Sequence, residues 1–181
     1  MTPMKKKAAL FAFAAIILLN GICAQDFVKV TVDQKTRQAQ VIDKEIDGKK
    51  MRGILVYAQN AWRNIFFDQN ELPQIKQAAE KYFFDFDGLK LKKGKKDTIK
   101  KYGSTSLFIE WGSDKNSIDR FSDTRADLGY VFVKQAPYFA ITIHSAQNKN
   151  PDCAQLAYKD SPKQVLLFTR SQLNDLLDKI F

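Results

Sequence analysis

Hydrophobic and polar residues alternate along much of the chain, which is the pattern of β-strands that bury one face. The clearest runs have an apolar side chain at every second position: Val28, Val30 and Val32; Leu107, Ile109 and Trp111; Phe139, Ile141 and Ile143. Asp47 and Gly48 form a hairpin signal ahead of the apolar run 54–57. A further apolar run covers 130–133, and Pro137 predicts a turn after it. The pattern predicts an antiparallel β-meander.

Two segments change to the three-and-four spacing of an amphipathic helix. The apolar positions are Leu72, Ile75, Ala78, Ala79 and Tyr82 in the first, and Leu173, Leu176, Leu177 and Ile180 in the second. Thr169 and Gln172 precede the second helix at the spacing of a capping box, and Asp68 and Glu71 take the same places before the first. Pro73 fits the first helix only if its cap moves towards Asn70.

The two helical segments align without a gap at an offset of 101 residues, which pairs Phe67 with Phe168 and Ile75 with Leu176. One explanation is a duplicated strands-then-helix unit. The other is that strand-to-helix junctions share capping chemistry, and the preceding strands do not keep the offset. Under either explanation we expect an α+β fold, an antiparallel sheet with two helices packed on one face.

The N-terminus has the three parts of a secretory signal: Lys5, Lys6 and Lys7, the apolar run 8–19, and a short stretch of mostly small residues that ends at Ala24. We therefore expect residues 1–24 to be removed on export and residues 25–181 to form a single domain, periplasmic or secreted. An uncleaved anchor and a lipid attached to Cys23 are less favoured alternatives. The apolar run is short for a bilayer, and Ile22 is bulky where a lipoprotein signal expects a small residue.

Composition excludes disordered, collagenous and low-complexity proteins, since 45% of the residues are hydrophobic and 27% are charged. The absence of a long apolar run after the N-terminus excludes a multi-spanning membrane protein. Removing residues 1–24 lowers the formal charge from +9 to +6 over 157 residues. A chain of that length can bury a core without a disulfide or a structural metal.

The strongest charge feature is the lysine segment, residues 90–101, with sequence KLKKGKKDTIKK. Its seven lysines are Lys90, Lys92, Lys93, Lys95, Lys96, Lys100 and Lys101, and Asp97 is its one acid. The segment alone carries +6, so the rest of the expected exported chain is neutral. Such a local patch is a candidate contact for an anionic polymer, a lipid head group or an acidic protein. The alternative is a set of solvated lysines that keep a strand edge from aggregating.

The lysine segment contains no arginine, so we expect no sequence-specific binding of nucleic acid. The chain contains no GxGxxG, GxxxxGK, CxxC or HExxH motif, and no cofactor is expected. Asp114, Asn116 and Asp119 have part of a calcium-loop spacing, but the later ligand positions are wrong and no metal site is expected. Residues 119–127 mix both charges, which predicts an exposed loop.

His144 is the only histidine, and we expect it at a strand end on the solvent face of Tyr138, Ala140 and Thr142. A secreted hydrolase would combine His144 with a nearby serine such as Ser145, with Cys153 or with an aspartate. No nucleophile-elbow pattern accompanies these residues, and Cys153 is expected as a half-buried loop residue. The sequence therefore favours a non-catalytic binding domain of the cell envelope, with the hydrolase as the alternative.

Overall fold

The computed structural model describes residues 26–92, 100–153 and 160–180. The expected signal, residues 1–24, lies outside this part of the chain. Eight strands and two helices follow one another in this order: β1 (Phe27–Val32), β2 (Lys35–Ile46), β3 (Lys49–Ala58), β4 (Ala61–Phe67), α1 (Leu72–Asp87), β5 (Lys100–Gly112), β6 (Arg120–Val133), β7 (Ala136–Ile143), β8 (Gln164–Phe168) and α2 (Arg170–Ile180).

The eight strands form a closed barrel in which each strand is antiparallel to its neighbours. Thr31 on β1 pairs with Leu167 on β8 and closes the circle. The predicted antiparallel meander with two helices, a broadly α+β fold, is confirmed. Closure itself was not predicted, because the seam joins the first and last strands and leaves no local signal in either of them.

The alternation of side chains along the strands places one apolar set inside the barrel. Register pairing puts Val28 opposite Ala39, Ile65 opposite Ile109, and Ile141 opposite Leu166, and all six residues are buried. The buried residues of the helices join the same cluster: Ile75, Ala78, Ala79 and Tyr82 from α1, and Leu173, Leu176 and Ile180 from α2. The helices therefore share the core of the barrel. Duplication of a unit, and packing of both helices on one sheet face, stay predictions.

Two sequence predictions about strand limits are wrong. Residues 119–127 were expected to be a loop, but β6 begins at Arg120. Charged Asp123 and Arg125 point outward while Ser122 and Ala126 are buried, so polar residues here line the outer face of a strand. The turn expected at Pro137 is made by the two residues before β7, and Pro137 itself lies inside β7 opposite Phe132.

The two predicted helix caps have different outcomes. At α2 the capping box forms as predicted: Gln172 N donates to Thr169 Oγ1 over 3.3 Å, and Thr169 N donates to Gln172 Oε1 over 2.9 Å. At α1 the box does not form. Asp68 caps a short 3-10 turn instead, and the Glu71 carboxylate accepts from Ser106 N at 3.1 Å. Pro73 consequently falls in the first turn of α1, where its missing N–H has no cost.

Among the residues that the structure describes, no helix has both the length and the apolar character needed to cross a bilayer.

Gly53 provides a test of how closely the strands approach each other. A Cβ at this position would lie 2.3 Å from the backbone oxygen of Ile65 on the neighbouring strand, so neither backbone can give way without breaking register. We expect Gly53→Ala to lower the free energy of unfolding by roughly 1–3 kcal/mol or more. Gly103→Ala is the matched control, since its Cβ would meet nothing within 4 Å, and should change stability by less than about 0.5 kcal/mol. Urea unfolding of both variants checks this. Equal losses of unfolding free energy in the two variants would contradict the close contact between the backbones of β3 and β4.

Candidate functional site

α1 ends shortly before the lysine segment, and β5 begins within it, at Lys100. The end of α1 and the start of β5 form the candidate surface. β5 extends past the end of β4 and pairs there with β6 alone, so that Lys100 lies opposite Tyr130 and Lys101 opposite Gly129. The register shifts between Lys101 and Gly103, which makes Tyr102 the extra residue of a β-bulge. This extension carries the first residues of β5 alongside α1.

Asp85 ties the two sides of this surface together. The residue is buried on α1, and its Oδ2 accepts hydrogen bonds from Lys100 Nζ and from the Tyr102 hydroxyl, each over 2.7 Å. Its backbone oxygen accepts from Lys90 N at 2.8 Å. Lys90, the first residue of the lysine segment, and Lys100, its last but one, are therefore both hydrogen-bonded to Asp85.

The hydrogen bonds at Asp85 change the proton affinities of its partners. The bond from Lys100, followed by the bond from Tyr102, holds the pKa of the Asp85 carboxyl below its ordinary value despite burial. The same ion pair raises the pKa of Lys100. Burial, reinforced by the bond to Asp85, raises the pKa of the Tyr102 phenol. At neutral pH the contact is an ion pair with a neutral tyrosine as second donor.

A groove of about 540 Å³ runs between α1 and the start of β5. It is lined by Gln77, Glu80, Lys81, Phe84, Asp85, Lys100, Lys101 and Tyr102. Three lysines and two aromatic residues, Phe84 and Tyr102, are thus among the residues that line the groove. This groove, called here the α1–β5 groove, can take a partner that presents negative charge next to apolar groups.

The four described lysines of the segment have different surroundings. Lys100 pairs with Asp85, and Lys101 pairs with Asp127 on β6 over 2.7 Å. The ammonium of Lys90 lies 4.1 Å from the centroid of the Phe84 ring, an attractive cation–π contact. Lys92 is exposed, and its backbone N donates to the Tyr130 hydroxyl over 3.4 Å. The other three predicted contacts, Lys93, Lys95 and Lys96, lie outside the described residues.

His144 is exposed at the end of β7, and its Nε2 lies 3.1 Å from Asp127 Oδ2. Asp127 thus holds both His144 and Lys101, and these two partners lower the pKa of its carboxyl, Lys101 most strongly. Within the described part of the chain, neither Ser145 nor Cys153 shares a hydrogen bond with the imidazole. The arrangement lacks the nucleophile-to-base contact from which acyl transfer begins.

The surroundings of His144 and Cys153 differ in part from the sequence predictions. The face shared by Tyr138, Ala140 and Thr142 was expected to be open to solvent, but Ala140 and Thr142 are buried. Ala140 lies between Gly129 on β6 and Leu167 on β8. Cys153 is buried rather than half-buried, and burial raises the pKa of its thiol, which makes a poor nucleophile.

The partial calcium spacing serves a turn. Asp114 Oδ1 accepts from Asn116 N over 2.7 Å, and Asp114 O accepts from Ser117 N over 3.2 Å. Across the described ranges, no three carboxylate, histidine or cysteine side chains come together in a way that could hold a metal ion.

Asp85 and Tyr102 were not recognised from the sequence as parts of a site. Asp85 lies in the last turns of α1. A usable signal was present, because Asp85 continues the three-and-four spacing of Ile75, Ala78 and Tyr82 and so falls on the buried stripe of the helix. A carboxylate on a buried stripe requires a partner of opposite charge or a set of hydrogen-bond donors.

The contact at Asp85 predicts an acid-dependent contribution to stability. Because its pKa is depressed in the folded state, the contribution is present above the unfolded carboxyl pKa, about 3.9, and is lost as pH falls through the folded value. We expect Asp85→Asn to lower the free energy of unfolding at pH 7 by roughly 1–3 kcal/mol. The difference from the natural chain should shrink in acid.

Asp87→Asn is the matched control for Asp85→Asn, because Asp87 is exposed and pairs with Arg170 on the surface over 2.8 Å. An exposed pair contributes less than about 1 kcal/mol. Urea unfolding at pH 7 and near pH 3 measures both variants. A loss at Asp85 that is no larger than the loss at Asp87, or that does not depend on pH, would contradict the role given to the buried contact.

Comparison with known proteins gives a family and no activity. No curated protein matches the chain, and no solved structure matches it. One family model, described as "Uncharacterised Treponema protein", matches residues 18–181. That match covers most of the sequence and all of the described strands and helices, and the chain belongs to this family.

Proposed function

We propose that this chain is an exported, non-catalytic binding domain of the cell envelope that contacts an anionic partner through the lysine segment and the adjacent α1–β5 groove. The observation that carries the proposal is the attachment of Lys90 and Lys100 to Asp85, beside a groove whose lining includes three lysines and two aromatic rings. Lys90, Lys100 and Lys101 are therefore held at a defined place on the molecule.

The charge balance supports the same proposal. Lys100 and Lys101, where β5 begins, are paired with Asp85 and Asp127, so they serve as anchors as well as cations. Lys90 and Lys92 form no ion pair with a carboxylate in the described part of the chain. Their positive charges remain available to a partner, next to the groove.

Export is proposed from the N-terminal pattern of residues 1–24 and nothing else. It restricts the anionic partners to those of the envelope or its surroundings: an anionic polymer, a lipid head group or an acidic protein. The contact of His144 with Asp127 is the one observation related to the hydrolase alternative. Because that contact also holds Lys101, it fits an ion-pair network at least as well as a catalytic pair.

We also propose that the two halves of the chain come from duplication. Four strands and a helix, β1–β4 with α1, are followed by four strands and a helix, β5–β8 with α2. The offset that pairs Phe67 with Phe168 places the last residue of β4 on the last residue of β8. The buried faces of both helices join one core cluster, as packing of both on one side of the sheet would require.

Retention on an anionic matrix across a salt series tests the proposed binding surface. The protein is the expected exported form, residues 25–181, which contains every described helix and strand. If the lysine segment neutralises about five charges, log affinity should fall against log salt with a slope of roughly −3.5 to −4.5. A variant with all seven lysines of the segment changed to glutamine should lose most of this retention.

The control variant changes seven exposed lysines elsewhere to glutamine: Lys29, Lys35, Lys49, Lys50, Lys76, Lys134 and Lys163. It removes the same charge from scattered positions and should retain most of the affinity of the natural chain. Equal weakening in the two variants would mean that retention follows net charge, and the proposal of a localised surface would be abandoned.

A further inference from the structure

Two exposed hydrophobic side chains lie next to the lysine segment. Leu89 is 91% exposed in the turn after α1, and Phe84 is 67% exposed on the last turns of α1. Leu91, two residues after Leu89, packs instead against the core. A single exposed leucine is common on protein surfaces, but two exposed apolar residues five positions apart, next to lysines, mark a candidate interaction site.

The backbone holds Leu89 in a conformation that disfavours it. Its φ is +53°, in the left-handed region, although Gly88 precedes it with an ordinary φ of −79°. A glycine at the left-handed position commonly ends a helix, and leucine is a costly substitute because of its Cβ. Leu89 N donates to Phe86 O over 3.1 Å, and Lys90 N donates to Asp85 O over 2.8 Å, so the turn is fixed by hydrogen bonds. The turn directs an apolar side chain into solvent.

Lysines lie close to these apolar groups, together with the carboxylates of Glu80 and Asp85 in the groove. The Lys90 ammonium lies over the ring of Phe84. Lys81 is exposed and lines the α1–β5 groove, and Lys92 is exposed three residues after Leu89. The described part of this surface thus combines two apolar side chains with three lysines. Proteins that bind the surface of a bilayer use this combination, because lysines attract anionic head groups while apolar side chains enter the boundary of the acyl chains.

We propose that Phe84, Leu89 and the neighbouring lysines dock on an anionic lipid surface, an inference that rests on the function proposed above and names its partner. A soluble polyanion gains little from an exposed leucine, whereas a bilayer removes that side chain from water. The apolar pair therefore distinguishes a lipid surface from an anionic polymer or an acidic protein that would use the lysines alone.

In the described ranges, the other exposed phenylalanines lie elsewhere in the fold. Phe121 on β6 is stacked on Phe108, with ring centroids 6.0 Å apart, and Phe27 on β1 accepts a hydrogen bond from Lys179 Nζ at its backbone oxygen over 2.6 Å. Neither belongs to the α1–β5 groove. Phe121 therefore supplies a matched control, an exposed phenylalanine outside the proposed docking surface.

Co-sedimentation with vesicles tests the inference, using residues 25–181 and vesicles of phosphatidylcholine with and without phosphatidylglycerol. We expect binding to the anionic vesicles alone. Leu89→Gly should weaken it about tenfold, the loss expected for partial burial of one leucine. The same variant should unfold at an equal or higher urea concentration, because glycine tolerates the left-handed conformation. Phe84→Ser should also weaken binding, and Phe121→Ser should leave it unchanged.

Soluble polyphosphate separates failure of this inference from failure of the proposed function. Suppose that polyphosphate binds through the lysines. The lipid inference would then be overturned if anionic vesicles are not bound, or if the natural chain and Leu89→Gly bind them equally well. The proposed function would still stand in both cases. Absence of binding to both probes would overturn both. Weaker vesicle binding by Leu89→Gly, with unchanged polyphosphate binding, is the result that supports a lipid surface.

Discussion

Closure of the sheet is the constraint that decides which parts of this chain can meet. Once Thr31 pairs with Leu167, all eight strands are held in one antiparallel circle. Every second strand then ends at the same end of the barrel, so the helices that follow β4 and β8 begin at the same end. β5 starts there as well. Lys100 and Lys101, which begin β5, consequently lie at this end, and the backbone N–H groups of Lys90 and Lys92 are hydrogen-bonded beside them to Asp85 and Tyr130.

The lysines at this end fall into two groups, those paired with a carboxylate and those without such a partner among the described residues. The buried carboxylate of Asp85 neutralises Lys100, and the partly exposed Asp127 neutralises Lys101. Both acids lie on regular elements, α1 and β6, so the start of β5 is fixed in place. The lysines that follow α1 have no such partner among the described carboxylates. The paired lysines, Lys100 and Lys101, hold the start of β5 in place. The lysines without a carboxylate partner among the described residues, Lys90 and Lys92, are different ones, so their charge is not used for this attachment.

The sequence predicted the elements better than their arrangement. Alternation correctly located β1, β5 and β7, and the capping box of Thr169 and Gln172 correctly marked the start of α2, because these signals depend on residues close in sequence. The apolar end of β6, 130–133, was predicted, but its first part was missed because charged residues on its outer face resemble a loop. Closure of the barrel and the contact of Asp85 with Tyr102 join distant residues, which no local pattern contains.

The candidate site was predicted in the same uneven way. The lysine segment was identified by composition, and two of its lysines, Lys100 and Lys101, do line a groove, but Asp85, which pairs with Lys100, was not predicted to be part of the site. The exposure of Leu89 and Phe84 was not predicted, because apolar residues in or just after a helix are usually buried, as Leu91 partly is. Leu89 is exposed because of the left-handed turn, and Phe84 because it lies on the outward side of α1. Both causes are properties of the folded chain.

The most direct test of this account is a two-dimensional ¹H–¹⁵N NMR titration of residues 25–181 with a short-chain phosphatidylglycerol, kept below its micelle concentration. The account predicts that shift changes concentrate in residues 84–92 and 100–102, with the turns at the opposite end of the barrel, such as 59–60, unaffected. Changes centred on that opposite end, or spread evenly over the barrel, would contradict it, as would the absence of any change.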